Sequence, residues 1–518
     1  MYDKTQKNFT TDNSMNPKTN GASGIPHKRT SLLREMGLLG LAATGICSML
    51  GAAINVIPFM IQRNVPGIGP YVLPAYLFAA VPAVFAALAY AILASAMPRA
   101  GGSYVYASRA LNPYLGFVAS FSQWFGLCIA IGVVSYVLIP FLRDIAAALD
   151  LQAIAVTLDM GAVRVTLALA FLWTFVAVNL RGVKLYEKIL IPLMFLMFAL
   201  GAVVIVAGFS FDHSDFAAAL LQQDGQTLPV SGPVPFQLPI YFAASALLFA
   251  SFIGFDSIAQ AGGEARNPGK SLPLAIGIAV VTVGTFYILF TGAVYHAVPW
   301  SYIAKEGMTK DLTAPGLLGY LLPTGWTVAI VAGAAIALIN DLPAMLLAVS
   351  RLIFAWGEDG IFPRRVASVH PQWHTPHVAI IVSGILASAG IMGNHLANDF
   401  FLGVDILVIS MLVNFLLMCL SVLAFPHRNP ELAKCVRVVT SRKVQIMLAS
   451  FGVVMLGGFL VIHIWKDLTT SLRAWYFHST PIWLIVMAVA SAIYAREVRR
   501  LRRKGVDVKA LFSKLPPE

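Results

Sequence analysis

Twelve apolar stretches of about twenty residues punctuate the chain, near 37–60, 71–96, 113–142, 165–180, 187–209, 238–262, 272–298, 326–350, 377–393, 400–425, 446–465 and 481–496. A bilayer's hydrocarbon core needs about 20 residues of helix to cross, because a helix satisfies its own backbone polar groups where water is absent. The pattern predicts an all-α polytopic membrane protein with twelve transmembrane helices. Composition agrees, since 58% of the 518 residues are hydrophobic and only 12% are charged. That charged share is about half the roughly 25% of a soluble domain, so lipid must cover surface that acids and bases cannot. The net charge of +12 would suggest nucleic acid only if bases gathered on a folded, water-facing surface. They gather between the apolar runs instead, and no nucleic-acid partner is expected. Cys47, Cys128, Cys419 and Cys435 show neither a zinc spacing nor a disulfide framework and read as packing residues, so no cofactor or metal is expected.

Lys and Arg resist transfer across the membrane, which makes their distribution a test of orientation. Residues 1–34 are polar and contain no apolar core for a signal peptide; they read as a disordered cytoplasmic tail. With both termini inside, 29 Lys and Arg fall on cytoplasmic segments and seven outside. This asymmetry predicts a multi-pass protein of the plasma (inner) membrane with both termini cytoplasmic. The cluster Arg496, Arg499, Arg500, Arg502, Arg503 and Lys504 is then either a stop-and-anchor signal or a contact for anionic membrane lipids.

Two spans carry helix-weakening runs. The first holds Gly45, then Ser48-Met49-Leu50-Gly51-Ala52-Ala53, then Asn55 and Pro58; the sixth runs from Ala250 through Ser251, Phe252, Ile253, Gly254, Phe255 and Asp256 to Ser257. Interrupted helices in corresponding positions five spans apart point to an inverted-repeat transporter whose substrate sits where half-helix ends meet. Helix N-terminal ends suit a carboxylate and C-terminal ends suit a cation. The alternative is that Gly and Ser here serve close helix packing alone.

The segments PRAGGSYVYA (Pro98–Ala107), FIGFDSIAQAGGEARNPGKSLP (Phe252–Pro273), and Ser350-Arg351 followed by Glu358–Pro363 and His374-Thr375-Pro376 resemble, in order and position, the signatures of the amino acid-polyamine-organocation superfamily. The resemblance covers residues 34 to 430. It implies a five-plus-five inverted repeat, LeuT-like and shared with sodium-coupled neurotransmitter-type symporters, with helices 1 and 6 broken and two extra helices. It also implies a tail over 1–34, a transport core over 35–430, two added helices over 431–497 and a basic cytoplasmic tail over 498–518. The function implied is proton- or sodium-linked transport, or exchange, of amino acids or related amines.

Carried over by residue, the resemblance assigns the substrate carboxylate to the backbone of Ser48, Met49, Gly51, Ala52 and Ala53, and the ammonium to the break at Ala250, Ser251, Phe252 and Gly254. Ala53 stands where the family has a second Gly, and Asn55 where it has an aromatic. Phe252 reads either as an aromatic gate or as an ordinary packed Phe. Asp256 reads as a functional intramembrane acid, as a cap for the second half-helix, or as both. Glu264 and Arg99 read as a charge network closing the inner mouth, or as incidental loop pairs. Sodium-coupled relatives carry a Ser-Thr pair where this chain has Asn340 and Asp341, and some proton-coupled members carry a Lys where it has Met197. Asp341 is thus the expected coupling-ion residue, with Asn340 and Asp256 in support; the alternative is that Asp341 only bonds a neighbouring helix beside Pro343. Asp405 reads as structural. Ser120, Ser122, Gln123, Trp124 and Ser135 in the third span can line a cavity or pack helices.

The reading that follows is amino acid transport by alternating access, with proton-coupled symport placed first. Sodium coupling, exchange, or transport of a polyamine or another organic amine remain open. An intramembrane aspartyl protease is disfavoured because Asp256 and Asp341 lie in Gly-Phe-Asp and Ile-Asn-Asp contexts, and no HExxH or glycine-rich phosphate loop is present. A passive channel is the other rival class.

Overall fold

The structure, a computed structural model, describes residues 31–229, 232–397, 400–471 and 474–516, and of Ala52, Ala53 and Lys509 the backbone alone. The expected tail over 1–34 therefore lies almost wholly outside the described residues. The first span is two half-helices, α1 (Leu38–Met49) and α2 (Ala52–Asn64), followed by α3 (Val72–Ala96) and the short α4 (Gly102–Ala110). Next come α5 (Pro113–Ala148), α6 (Gly161–Leu180) and α7 (Val183–Ser210). The sixth span is α8 (Leu238–Leu248), a 3-10 turn over Phe249–Phe252, and α9 (Asp256–Gln260). The remainder is α10 (Pro268–Ala297), α11 (Thr324–Glu358), α12 (His377–Ala397), α13 (Phe400–Arg428), α14 (Arg442–Thr469) and α15 (Ser479–Arg503).

Eleven helices among the described residues are long and apolar enough to cross a bilayer. The twelfth expected span, the sixth in order, stays below that length because Ile253 and Gly254 interrupt it, leaving a shorter apolar helix over Leu238–Phe252. Local chemistry sets several helix boundaries. Asn112 caps α5 by accepting from the Leu115 N–H at 2.9 Å, with Pro113 in the first turn where its missing donor costs nothing.

Burial sorts the helices into a centre and a rim. The apolar stretch of the first span is wholly buried and those of α5, α11 and α13 are mostly buried, whereas less than a third of those of α6, α7, α14 and α15 is covered. Helices apolar on every side yet uncovered by protein are those that lipid must cover. At the centre α11 packs on α5, α7 and α1, while α13 packs on α5 and α14.

One end of the bundle collects the Arg-rich loops, and we call it the basic end. There Met36 and the 264–266 loop exchange backbone bonds of 2.9 and 2.8 Å, and the Gly101 N–H donates to the Gln260 carbonyl at 3.2 Å. Two buried ion pairs lie beneath them. Arg351 grips both oxygens of Glu264 (2.5 and 3.0 Å), and Arg109 grips both of Asp359 (2.6 and 2.8 Å). The chain beyond α15 folds back under this end: Arg109 donates to the Lys514 carbonyl, Arg99 to that of Pro516 and Asn429 to that of Ser513.

Candidate functional site

Both helix breaks lie at the same place. Leu50 closes α1 with its N–H on the Ile46 carbonyl, and α2 starts at Gly51 with no side chain capping its first N–H groups. Opposite, Ile253 is extended and Gly254 adopts φ +137°, a conformation open to glycine alone among ordinary residues. Gly254 is also where the two breaks touch, because a Cβ on it would run into the backbone of Ser48 and Met49. The contact is reinforced by the Ser48 and Ser257 hydroxyls at 3.0 Å and by the Tyr287 hydroxyl donating to the Met49 carbonyl.

Against this junction lies a cavity of about 50 Å³, lined by Ser48, Met49, Gly51, Ala250, Ile253 and Asp341 together with apolar side chains of α5, α11 and α13. Asp341 sits midway along α11 and is 2% exposed, and its Oδ1 has no hydrogen-bond partner among the described residues. Its carboxylate faces Gly51 so closely that a Cβ there would overlap it. Most of the remaining wall is Ala130, Val133, Val134, Met345, Val404 and Leu407, joined by Ile57, Gly403 and Phe400. One acid in an apolar wall, beside uncapped helix ends, provides an acceptor for a cation and N–H donors for an anion within one small space. At about 10–15 Å³ per water, the space admits only a few waters as it stands.

The sequence-derived residues divide by location. Ser48, Met49, Gly51, Ala250 and Asp341 line the cavity together. Ser251 and Phe252 are buried behind it, Phe252 among the rings of Tyr76 and Tyr287 at centroid distances of 5.3 and 5.6 Å. The side chains of Ala52 and Ala53 lie outside the described residues. Asn340 turns away from Asp341, donating to Cys47 Sγ and to the Leu190 carbonyl. Asp256 is buried one layer towards the basic end, where its carboxylate accepts from the Gly254 N–H at 3.1 Å and from the Gln123 amide. From Gln123 a chain of buried polar groups continues through Ser103 to Gln260, Tyr90 and Asn414. Glu264 is held by Arg351, whereas the Arg99 Nε meets the Pro516 carbonyl. Phe400 and Tyr287 were not singled out from sequence; each is an aromatic residue within an apolar run and carries no local contrast.

A second, larger cavity of about 230 Å³ opens at the end opposite the basic one, and Phe400 borders both. The fold and the site define a polytopic, all-helical membrane protein with a polar break at its centre. The amino acid permease family model matches residues 36–489, and the chain belongs to that family: it is a transporter and not an enzyme. It is 25% identical to the branched-chain amino acid permease BcaP of Bacillus subtilis, over 91% of this chain and 95% of the relative. It is 26% identical to the vacuolar cationic amino acid transporter 4 of Arabidopsis thaliana, where it spans 58% of the longer relative's length and 70% of its own. It is 25% identical to the low-affinity putrescine importer PlaP of Escherichia coli, over 77% of this chain and 79% of the relative.

Proposed function

We propose that the protein carries an α-amino acid with a modest apolar side chain, and that Asp341 couples this movement to a cation. The observation that carries the reading is the buried Asp341 carboxylate in a largely apolar cavity, its Oδ2 against the break at Gly51 and its Oδ1 without a hydrogen-bond partner among the described residues. The uncapped N–H groups of α2 suit a substrate carboxylate, the carbonyls around Ala250 suit its ammonium, and Ala130, Val133, Val134 and Leu407 suit an aliphatic side chain. A carboxyl group with no fixed counter-charge in such a place can take a proton or pair with a sodium ion, and proton-coupled symport into the cell remains our first choice. Alternating access, the inverted repeat, the plasma-membrane location and cytoplasmic termini belong to the same reading, supported by the paired breaks and by the bases at one end. In this scheme the Arg351–Glu264 pair holds the cytoplasmic end closed, with Arg99 beside it.

The second reading is transport of an amine without a carboxylate, favoured by the single acid in the cavity and by the similarity to a putrescine importer. Ligand-induced stabilisation of the purified protein separates the two, because a ligand at 100 times its Kd adds about 2.7 kcal/mol to the folded state. L-leucine should raise the melting temperature, and isoamylamine, which has the same side chain and ammonium but no carboxylate, should do so much less. Stabilisation by isoamylamine or putrescine but not by any amino acid would replace the first reading with the second.

A further inference from the structure

The cavity opposite the basic end is bordered by three arginines, and two of them have acids. Arg63 meets Asp311 at 2.8 Å, and Arg143 meets Asp144 and Asp159 at 2.8 and 2.9 Å. Arg164, at the start of α6, meets no carboxylate within ion-pair distance among the described residues. Its guanidinium carbon instead lies over the Tyr136 ring, 3.9 Å from the centroid, and its Nε makes one long bond of 3.4 Å to the Tyr136 carbonyl. The ring is itself fixed, since the Tyr136 hydroxyl is paired with His395 Nδ1 at 2.8 Å. A half-buried cation oriented by an aromatic face, with its terminal nitrogens left for a partner, is how an arginine reads a planar carboxylate.

The same cavity supplies the complementary group. Asn394 of α12 borders it, is 8% exposed, and its Oδ1 has no hydrogen-bond partner among the described residues. A buried amide oxygen without a donor costs stability unless a ligand or water provides one. A donor to Asn394 and an acceptor to Arg164 are the two ends of an α-amino acid, and about 230 Å³ gives room for one. Phe400 lines both this cavity and the central one.

We propose that Arg164 and Asn394 form a waiting site for a zwitterionic amino acid, from which the substrate passes Phe400 to the Asp341 cavity, so that Arg164 selects for a carboxylate before the transport site is reached. This inference rests on the amino acid reading above.

The test is L-leucine uptake by proteoliposomes containing wild type, Arg164→Gln, Arg164→Lys and Asn394→Leu, with competition by isoamylamine. Arg164→Gln should raise the KM for leucine about tenfold with kcat within twofold and an unchanged melting temperature, since a bond to a charged group is lost. Competition by isoamylamine should stay as in wild type, and Arg164→Lys should recover part of the KM. Asn394→Leu, which keeps the volume and removes the acceptor, should weaken leucine and isoamylamine alike by several-fold. A leucine KM within twofold of wild type in either Arg164→Gln or Asn394→Leu overturns the waiting site alone. Wild type that takes up putrescine or isoamylamine but no amino acid overturns both this site and the reading it rests on.

Discussion

Two glycines fix the meeting of the breaks. Gly254 has φ +137° and leaves no room for a Cβ against the Ser48 carbonyl, so Gly254→Ala should cost about 2 kcal/mol or more and lower the melting temperature in detergent. An unchanged melting temperature would mean that the two half-helices do not touch there. Gly51 differs in kind, because its φ is −74° and the room it leaves is taken by Asp341. Gly51→Leu should therefore abolish leucine binding in a protein that still inserts and purifies as wild type does, and binding at wild-type affinity would remove the first break from the site. At this scale the polar half of the cavity was legible: Ser48, Gly51 and Asp341 contrast with the apolar runs around them. The apolar half was not, because Val133, Phe400 and Leu407 resemble every other hydrophobe until a fold brings them to one wall.

Among the elements, the spans and breaks were readable because membrane thickness and backbone hydrogen bonding leave few alternatives. Pairing between distant loops was not readable. The sequence offered Glu264 and Arg99 at one mouth, and the fold adds Arg351 of α11 as the ion-pair partner of Glu264, with both side chains 1% exposed. Removing one partner of a buried pair strands the other charge, at a cost of about 3–5 kcal/mol, whereas replacing both by apolar groups can be near neutral. Arg351→Met alone should therefore sharply lower the melting temperature, and Arg351→Met with Glu264→Leu should recover most of the loss. Simple addition of the two single-variant losses would show that the pair is not coupled. The docked chain around 512–516 was read only as a basic tail, since its contacts run through backbone carbonyls of Ser513, Lys514 and Pro516 that no side-chain pattern announces.

For the whole molecule, orientation rests on the bases. With the basic end cytoplasmic, Asp224→Cys should react with a membrane-impermeant thiol reagent on intact cells, while the exposed native Cys435 should not. The reverse pattern would invert the topology. The central claim is that a cavity between two broken helices binds an amino acid and that Asp341 couples its passage to a cation. One elementary charge moved inward yields about 2.3 kcal/mol per 100 mV, enough for roughly fifty-fold accumulation. The most direct measurement is L-leucine uptake into proteoliposomes under an imposed proton or sodium gradient, compared with leucine exchange in the same vesicles, for wild type and Asp341→Asn. Wild type should accumulate leucine above equilibrium, and Asp341→Asn should exchange it at a comparable rate without accumulating it; accumulation by Asp341→Asn with unaltered pH and sodium dependence would contradict the account.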